Sequence, residues 1–353
     1  MTLPTPRDDL ALRPGYHSRQ VDVAVRLNTN ESPWPPPQEW LDAWRAELAD
    51  LASNRYPDRS ALALRTAIGE LHGVGAENVF AANGSNEVLQ CVCLAYGGAG
   101  RRALTFEPTY ALHSHIAHLT GTEVVEAGRL PNLTLDPVEA AATRAMVEPA
   151  ITFICSPNNP TGMVEPRSTV EALLGAWDVL VVVDEAYGPF ASWSALDLLG
   201  DDVPLVVTRT FSKTWSMAGL RLGYLVGPAP VVEVLQRVAL PYHLDAAKQA
   251  AGRLALAFQD EMRQRVEAVV AERDRIMEAL FLLPVTTWPS EANFVLFRPD
   301  NRKGDEVWEA LLADSVLVRN ASSWPHLEGC LRVTVGTPEE NDTFLTALTE
   351  ALR

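Results

Sequence analysis

Lys213 lies in the run Thr210-Phe211-Ser212-Lys213, eight positions before Arg221. An amine at the end of an apolar strand, flanked by small hydroxyls and backed by an arginine, suits a lysine that must lose its proton and attack a carbonyl. The hydroxyls and the guanidinium suit a dianion held alongside. That combination is what a Schiff base to pyridoxal phosphate needs. A Ser-Lys pair alone is more often solvated surface, so the motifs upstream decide the reading.

Gly84-Ser85-Asn86 opens a helical stretch directly after an apolar run. A small-residue turn at a helix N-terminus offers unpaired N–H groups and the positive dipole end, a natural phosphate seat, although the same residues also make an ordinary cap. Tyr110, in Glu107-Pro108-Thr109-Tyr110, follows the next apolar run, where a ring could stack on a flat cofactor or simply fill the core. Ser156-Pro157-Asn158-Asn159-Pro160-Thr161-Gly162 is a loop preset by prolines and a glycine, placing the Asn159 amide to donate to a phenolate oxygen. Asp184 emerges from the apolar run Val179–Val183 and is costly to bury without a cation; a pyridinium nitrogen supplies one. Tyr187, three residues on, reaches toward the same phenolic oxygen.

The elements that must position these residues are legible as well. Seven short apolar runs, Asn78–Ala82, Ala103–Phe106, Glu123–Glu126, Ile151–Cys155, Val179–Val183, Leu205–Thr208 and Leu222–Val226, alternate with helical patterns. Most are continuous rather than alternating, as expected of strands covered on both faces. The spacing predicts an α/β fold: a large domain with a seven-stranded, mostly parallel sheet sandwiched by helices, and ligands at the carboxyl ends of its strands. Asp245–Leu283 reads as one or two long helices stopped by Pro284. A smaller α+β unit follows, with strands near Asn293–Phe297, Val316–Val318 and Leu331–Val335 and helices near Asp305–Ala313 and Glu339–Leu352. Pro33, Pro35, Pro36 and Pro37 mark an extended N-terminal arm. The expected division is residues 1–40 as the arm and part of the small domain, 41–245 as the large domain and 246–353 as the small C-terminal domain.

Composition narrows the class. The chain has 353 residues, 47% hydrophobic and 21% charged, which is the profile of a globular enzyme long enough for two lobes. A net charge of −16 argues against nucleic-acid binding, which needs a basic footprint. Met1–Leu10 holds Arg7, Asp8 and Asp9 without an apolar core, unlike a signal peptide, and no apolar stretch reaches membrane-spanning length. Cys91, Cys93, Cys155 and Cys330 make no CxxC spacing and read as buried thiols in a reducing compartment, so a cytoplasmic location is expected. His113, His115 and His118 share a helix without a matching carboxylate or cysteine set, so no metal is expected there.

From Arg26 to about Leu348 the chain resembles the histidinol-phosphate aminotransferases, fold-type I pyridoxal-phosphate transferases. Leu27-Asn28-Thr29-Asn30-Glu31, Asn54-Arg55-Tyr56-Pro57-Asp58, the Asn-Pro-Thr-Gly loop, Asp184-Glu185-Ala186-Tyr187, Thr210 to Lys213, Ala218 to Tyr224, Leu240-Pro241-Tyr242 and Cys330 to Gly336 occur in that family's order. The resemblance implies that Lys213 forms the Schiff base and then shuttles the substrate's proton, and that Asp184 pairs the ring nitrogen. It implies that Asn159 and Tyr187 bond the phenolic oxygen and that Tyr110 stacks on the ring. Gly84, Ser85, Asn86, Thr210, Ser212 and Arg221 would surround the phosphate, joined by Tyr56 from the neighbouring subunit of a homodimer. Arg332, with Arg319 thirteen residues earlier on an adjacent strand, would hold the substrate's anionic group, and Tyr16, Asn30 and Tyr242 would close over it.

The implied reaction is transamination of L-histidinol phosphate with 2-oxoglutarate, giving imidazole-acetol phosphate and glutamate, in histidine biosynthesis. Two guanidiniums suit a phosphate dianion and also accept a carboxylate bidentately. The other readings are an aromatic amino-acid aminotransferase, a threonine-phosphate decarboxylase, or a non-catalytic pyridoxal-phosphate-binding module. Retention of Lys213, Asp184 and Tyr187 speaks against the last. Two departures from the family pattern, Ser32 in place of the usual Asn and the bulky Thr214-Trp215-Ser216-Met217, are expected to bear on side-chain selectivity.

Overall fold

The computed structural model describes residues 4–5, 21–175 and 179–353. The seven apolar runs form one sheet: β2 (Val79–Ala82), β3 (Arg102–Glu107), β4 (Glu123–Gly128), β5 (Ile151–Cys155), β6 (Leu180–Asp184), β7 (Leu205–Thr210) and β8 (Gly223–Val226). Their order is β2-β8-β7-β6-β5-β3-β4, with β8 antiparallel to both of its neighbours and the other pairings parallel. Strands β2, β5, β6 and β8 are buried along their whole length, which explains their unbroken apolar sequences. On one face lie α3 (Ser85–Tyr96), α4 (Leu112–Leu119) and α7 (Ala229–Val238). The other face is covered by α1 (Gln38–Ala49) and α2 (Leu62–His72) and by α5 (Pro137–Val147) and α6 (Arg167–Leu173). The edge strand β4 stays largely solvated and carries Glu123 and Glu126, charges that discourage pairing with another chain.

A second, five-stranded sheet runs β1-β11-β12-β10-β9, from β1 (Val25–Leu27), β9 (Val285–Thr287), β10 (Phe294–Pro299), β11 (Val316–Asn320) and β12 (Leu331–Thr334). Its core is closed by α9 (Gln259–Phe281), α10 (Gly304–Ala313) and α11 (Pro338–Ala351), whose Ile276, Leu311 and Phe344 are fully buried. Helix α11 starts with a full capping box, Thr337 and Glu340 each bonding the other's backbone N–H. The N-terminal segment is therefore more than an arm laid over the surface. Val25, Arg26 and Leu27 pair in parallel with Val316, Leu317 and Val318 and extend the small sheet.

The stretch read as one or two helices is two, and α8 (Ala246–Ala255) belongs with the large sheet. Its Ala251 and Ala255 are buried with Trp40, Leu64, Phe211 and Leu222, and the Trp40 indole donates to the Ala251 carbonyl at 3.1 Å. A boundary at 245/246 thus cuts in front of a large-sheet helix. The connection is α9, whose first turns meet the large-sheet core at Met262 while Val269 and Ile276 enter the small one. At 23 residues it spans about 35 Å, enough to bridge both. The four cysteines are all buried and unpaired, as their spacing suggested.

One buried ion pair anchors the loop after β5. Arg129, just past β4, meets Glu165, both side chains being almost fully enclosed. The Arg129 Nε also donates to the Phe106 carbonyl at 3.1 Å, and the Glu165 N–H to the Ser156 hydroxyl at 3.1 Å. Replacing Glu165 by Ala leaves a buried guanidinium without its anion, which costs about 3–5 kcal/mol. Urea unfolding of Glu165→Ala should show the midpoint falling by that amount at constant slope. A loss below about 1 kcal/mol would mean that the pair is solvated in practice.

Candidate active site

The carboxyl ends of β5, β6 and β7 open onto a cavity of ≈ 330 Å³ that the small sheet closes from the other side. Lys213 and Asp184 both line it and do not pair with one another. The Lys213 Nζ donates to the Thr29 carbonyl at 3.1 Å and, among the described residues, has no carboxylate partner. Burial, followed by the nearby Arg332 and Arg221 charges and opposed by Glu31, lowers its pKa from 10.5 to about 8. Asp184 ends β6 fully buried. Its Oδ1 accepts from the Ala186 N–H at 3.1 Å and the Thr208 hydroxyl at 3.2 Å, and its Oδ2 lies 3.0 Å from the His113 Nε2.

Tyr187 follows one turn later. Its ring stands edge-on to Phe294 with centroids 5.0 Å apart, and burial pushes its hydroxyl pKa up. The hydroxyl accepts from the Asn30 Nδ2 at 2.8 Å. Asn30 is itself held in a left-handed backbone conformation (φ 53°), and its Oδ1 accepts from the Thr334 hydroxyl at 3.1 Å. Although Asn30 lines the cavity, its side chain is committed to Tyr187 and Thr334. Through these bonds it orients the tyrosine. Asn159 sits opposite, its Oδ1 bonded by the Arg332 Nη1, which leaves its amide nitrogen as the donor.

The dianion seat forms where α3 begins. The N-cap residue of this helix is Gly84, which has no side chain to cap it, and Ser85 and Asn86 line the cavity there. Gly84 has φ +80°, and a Cβ on it would meet the Arg221 Nη2 at 2.8 Å, so only glycine lets the guanidinium reach the helix end. The Arg221 Nη1 donates to the Ser212 hydroxyl at 3.2 Å, and the Thr210 hydroxyl donates to the same oxygen at 3.0 Å. The Tyr110 hydroxyl donates to the Asn86 Oδ1 at 3.1 Å, holding the ring at the cavity wall.

The anion clamp lies on the small sheet. Arg319 and Arg332 are direct cross-strand partners on β11 and β12, and both line the cavity. Arg332 is buried and also donates from Nη2 to the Asn28 carbonyl at 3.0 Å.

Two expected site residues are not brought here by this chain's own fold. Tyr56 and Tyr242 stack on each other at the surface, centroids 4.4 Å apart, with Tyr56 79% exposed, and neither lines the cavity. Tyr16 lies outside the described residues. The structure adds residues that the sequence reading passed over. His113, considered there only as a metal ligand, is fully buried, stacked on Phe153 with centroids 5.0 Å apart, and braces Asp184. The available signal was its place one turn after Tyr110, at the start of α4. Trp324 and Thr29 also line the cavity; Trp324 carried no sequence signal, and Thr29 was part of a quoted motif but was given no role. Among the described residues no group of three His, Cys, Asp or Glu side chains is placed to hold a metal.

These residues fit pyridoxal phosphate. An uncapped helix end with Arg221 and two hydroxyls suits its phosphate. The buried Asp184 carboxylate, held only by neutral donors and a histidine, suits a protonated ring nitrogen. The partly deprotonated Lys213 suits its aldehyde. The large sheet, the smaller sheet and this constellation define a fold-type I pyridoxal-phosphate-dependent transferase.

The family model described as aminotransferase class I and II matches residues 22–348. The chain is 46% identical to the histidinol-phosphate aminotransferase of Frankia casuarinae over 98% of this chain and 90% of that protein. It is 45% identical to that of Thermobifida fusca over 98% and 95%. Among solved structures, histidinol-phosphate aminotransferase from Sinorhizobium meliloti, in complex with pyridoxal-5'-phosphate, shares the fold with a TM-score of 0.84 at 22% identity, over 94% of this chain and 91% of that one. The chain belongs to the class I and II aminotransferases and, within them, to the histidinol-phosphate aminotransferase family.

The lowered lysine pKa has a kinetic consequence. Only the neutral amine attacks an aldehyde, and with a pKa of about 8 about a tenth of Lys213 is neutral at pH 7. Borohydride-fixed incorporation of pyridoxal phosphate into the cofactor-free chain should label Lys213. Its rate should climb about tenfold per pH unit below pH 8 and level off above. Arg332→Met removes a positive neighbour and should move the bend to higher pH. A wild-type rate still climbing past pH 9.5 would contradict the depressed pKa.

Proposed function

We propose that this enzyme transfers the amino group of L-histidinol phosphate to 2-oxoglutarate, giving imidazole-acetol phosphate and glutamate, as a cytoplasmic step of histidine biosynthesis. The observation that carries the substrate assignment is the juxtaposed Arg319 and Arg332 on neighbouring strands, both facing the cavity. Two like charges opposite one another weaken a sheet. Their placement is useful if a dianion joins them. Histidinol phosphate lacks the α-carboxylate of an ordinary amino acid and offers a phosphate, which two guanidiniums match in charge and geometry. Glutamate, in the other half-reaction, presents carboxylates to the same clamp.

Pyridoxal phosphate, when bound, supplies the aldehyde that receives the amino group and a conjugated ring that absorbs the charge left when Cα loses its proton. The chain's residues do the rest. Lys213 would carry the proton between the substrate's Cα and the cofactor's C4′, a task for an amine with a pKa near the working pH. Asp184, oriented by His113, Thr208 and the Ala186 N–H, would keep the ring nitrogen protonated. Asn159 and Tyr187 would hold the phenolic oxygen, Tyr110 would cover the ring, and Ser85, Asn86, Thr210, Ser212 and Arg221 would hold its phosphate.

We also read the enzyme as a homodimer in which Tyr56 reaches the partner's phosphate seat. The exposed Tyr56, Leu240 and Tyr242 support this, since large apolar side chains on one surface favour burial against another chain. Mixing Tyr56→Phe and Lys213→Ala proteins should then give hybrids with one intact site and measurable activity above the inert Lys213→Ala parent. A fully active monomer would remove the shared site.

Losing one charged, buried partner of a dianion costs about 2–5 kcal/mol. Arg319→Ala should therefore reduce kcat/KM for histidinol phosphate by a factor between about 30 and several thousand, and far less for phenylalanine. Equal losses on both would make Arg319 structural. A wild-type preference for phenylalanine would leave an aromatic amino-acid aminotransferase instead.

A further inference from the structure

Arg319 and Arg332 face the same cavity but are held differently. Arg332 is fixed by Asn159 and the Asn28 carbonyl. The Arg319 guanidinium has no hydrogen bond or ion pair among the described residues; it lies over the indole of Trp324, 5.1 Å from the ring centroid. That indole lines the cavity, and its Nε1 donates to the Thr109 carbonyl at 3.1 Å. Thr109 is itself locked, its hydroxyl donating to the Asn158 Oδ1 at 3.0 Å and its N–H to the Glu107 carboxylate at 3.1 Å. On its other side Trp324 packs into a small core with Leu296, Leu327 and Cys330.

We propose that Trp324 is a specificity-determining positioning residue that holds Arg319 over the cavity without neutralising it. A carboxylate in the same place would fix the guanidinium equally well, yet would occupy its N–H donors and cancel its charge. An aromatic face attracts the cation and takes none of the donors. The tether to Thr109 fixes that face relative to Tyr110, the next residue along, so the anion clamp and the ring-stacking wall keep one spacing. This inference rests on the reading that Arg319 binds the phosphate of histidinol phosphate.

The test compares KM and kcat for histidinol phosphate and for histidinol, its counterpart without the phosphate, in Trp324→Leu, Trp324→Phe, Arg319→Ala and the Arg319→Ala/Trp324→Leu double variant. Trp324→Leu should raise KM for histidinol phosphate about tenfold, the scale of a partly desolvated cation–π contact, with kcat within about twofold and histidinol little affected. Trp324→Phe keeps an aromatic face and should recover most of the loss. In the Arg319→Ala background the leucine change should add nothing, because both act through one guanidinium. If Arg319→Ala raises KM selectively for the phosphorylated substrate and Trp324→Leu does not, Trp324 has no holding role while the substrate reading survives. Equal losses on both substrates, or a fall in kcat at constant KM, would make Trp324 structural and overturn the proposal. If Arg319→Ala itself fails to discriminate between them, the substrate reading falls and the proposal falls with it.

Discussion

The active site depends on keeping opposite charges in one cavity from satisfying each other. Asp184 and Lys213 both line it, and a salt bridge between them would consume the groups that a pyridinium nitrogen and an aldehyde require. Asp184 is instead held by the Ala186 N–H, the Thr208 hydroxyl and His113, and Lys213 by the Thr29 carbonyl. Leaving a buried amine without an anion is costly. The cost appears as a lysine with a pKa of about 8, with Arg332 and Arg221 pressing in the same direction as burial. The same positive surroundings that release the proton also attract the two phosphates that the reaction brings in.

Rigid strand ends make that arrangement possible. Asp184 closes β6 and Cys155, opposite it in register, closes β5, while β7 pairs Thr208 with Asp184 and runs two residues further to Thr210, so three neighbouring parallel strands deliver the floor of the cavity. The dianion seat is fixed to them through β8. A Cβ on Gly223 would meet the Ser85 nitrogen at 2.3 Å, so the strand runs directly under the start of α3. The roof comes from the other sheet, where β12 carries Arg332 and Thr334. Thr334 positions Asn30, and Asn30 positions Tyr187. The two sheets thus share one hydrogen-bonded chain through the site.

Much of this was legible because local rules coincide with the global fold. Strands buried on both faces need continuous apolar sequence, and residues such as Asp184 and Lys213 stand out where those runs end. What escaped were contacts made across long sequence separations. His113 meets Asp184 from 71 residues away, and Trp324 meets Thr109 from 215 residues away; no periodicity encodes either. The alanine-rich α8 was assigned to the wrong side for a related reason, since its apolar stripe reads the same whichever core receives it. Tyr56 and Tyr242 mark a different limit. The resemblance draws both toward the site, whereas this chain's own fold leaves them stacked on each other at the surface, away from the cavity.

The two departures from the family pattern, expected to act on selectivity, turn out to touch each other. The Ser216 hydroxyl donates to the Ser32 hydroxyl at 2.9 Å, and Arg265 of α9 donates from Nη1 to the same Ser216 oxygen at 2.9 Å. Trp215 turns inward against Phe211, ring centroids 5.7 Å apart, and is buried in the large-sheet core. Neither Ser32 nor Trp215 lines the cavity. The pair therefore joins the N-terminal segment, the loop after Lys213 and the helix that bridges the two sheets at a single point. A small hydroxyl at position 32 suits a small hydroxyl at position 216, and the bulk of Trp215 fills the core behind the lysine. Both departures thus make their contacts away from the cavity, whose lining includes Arg319 and Arg332.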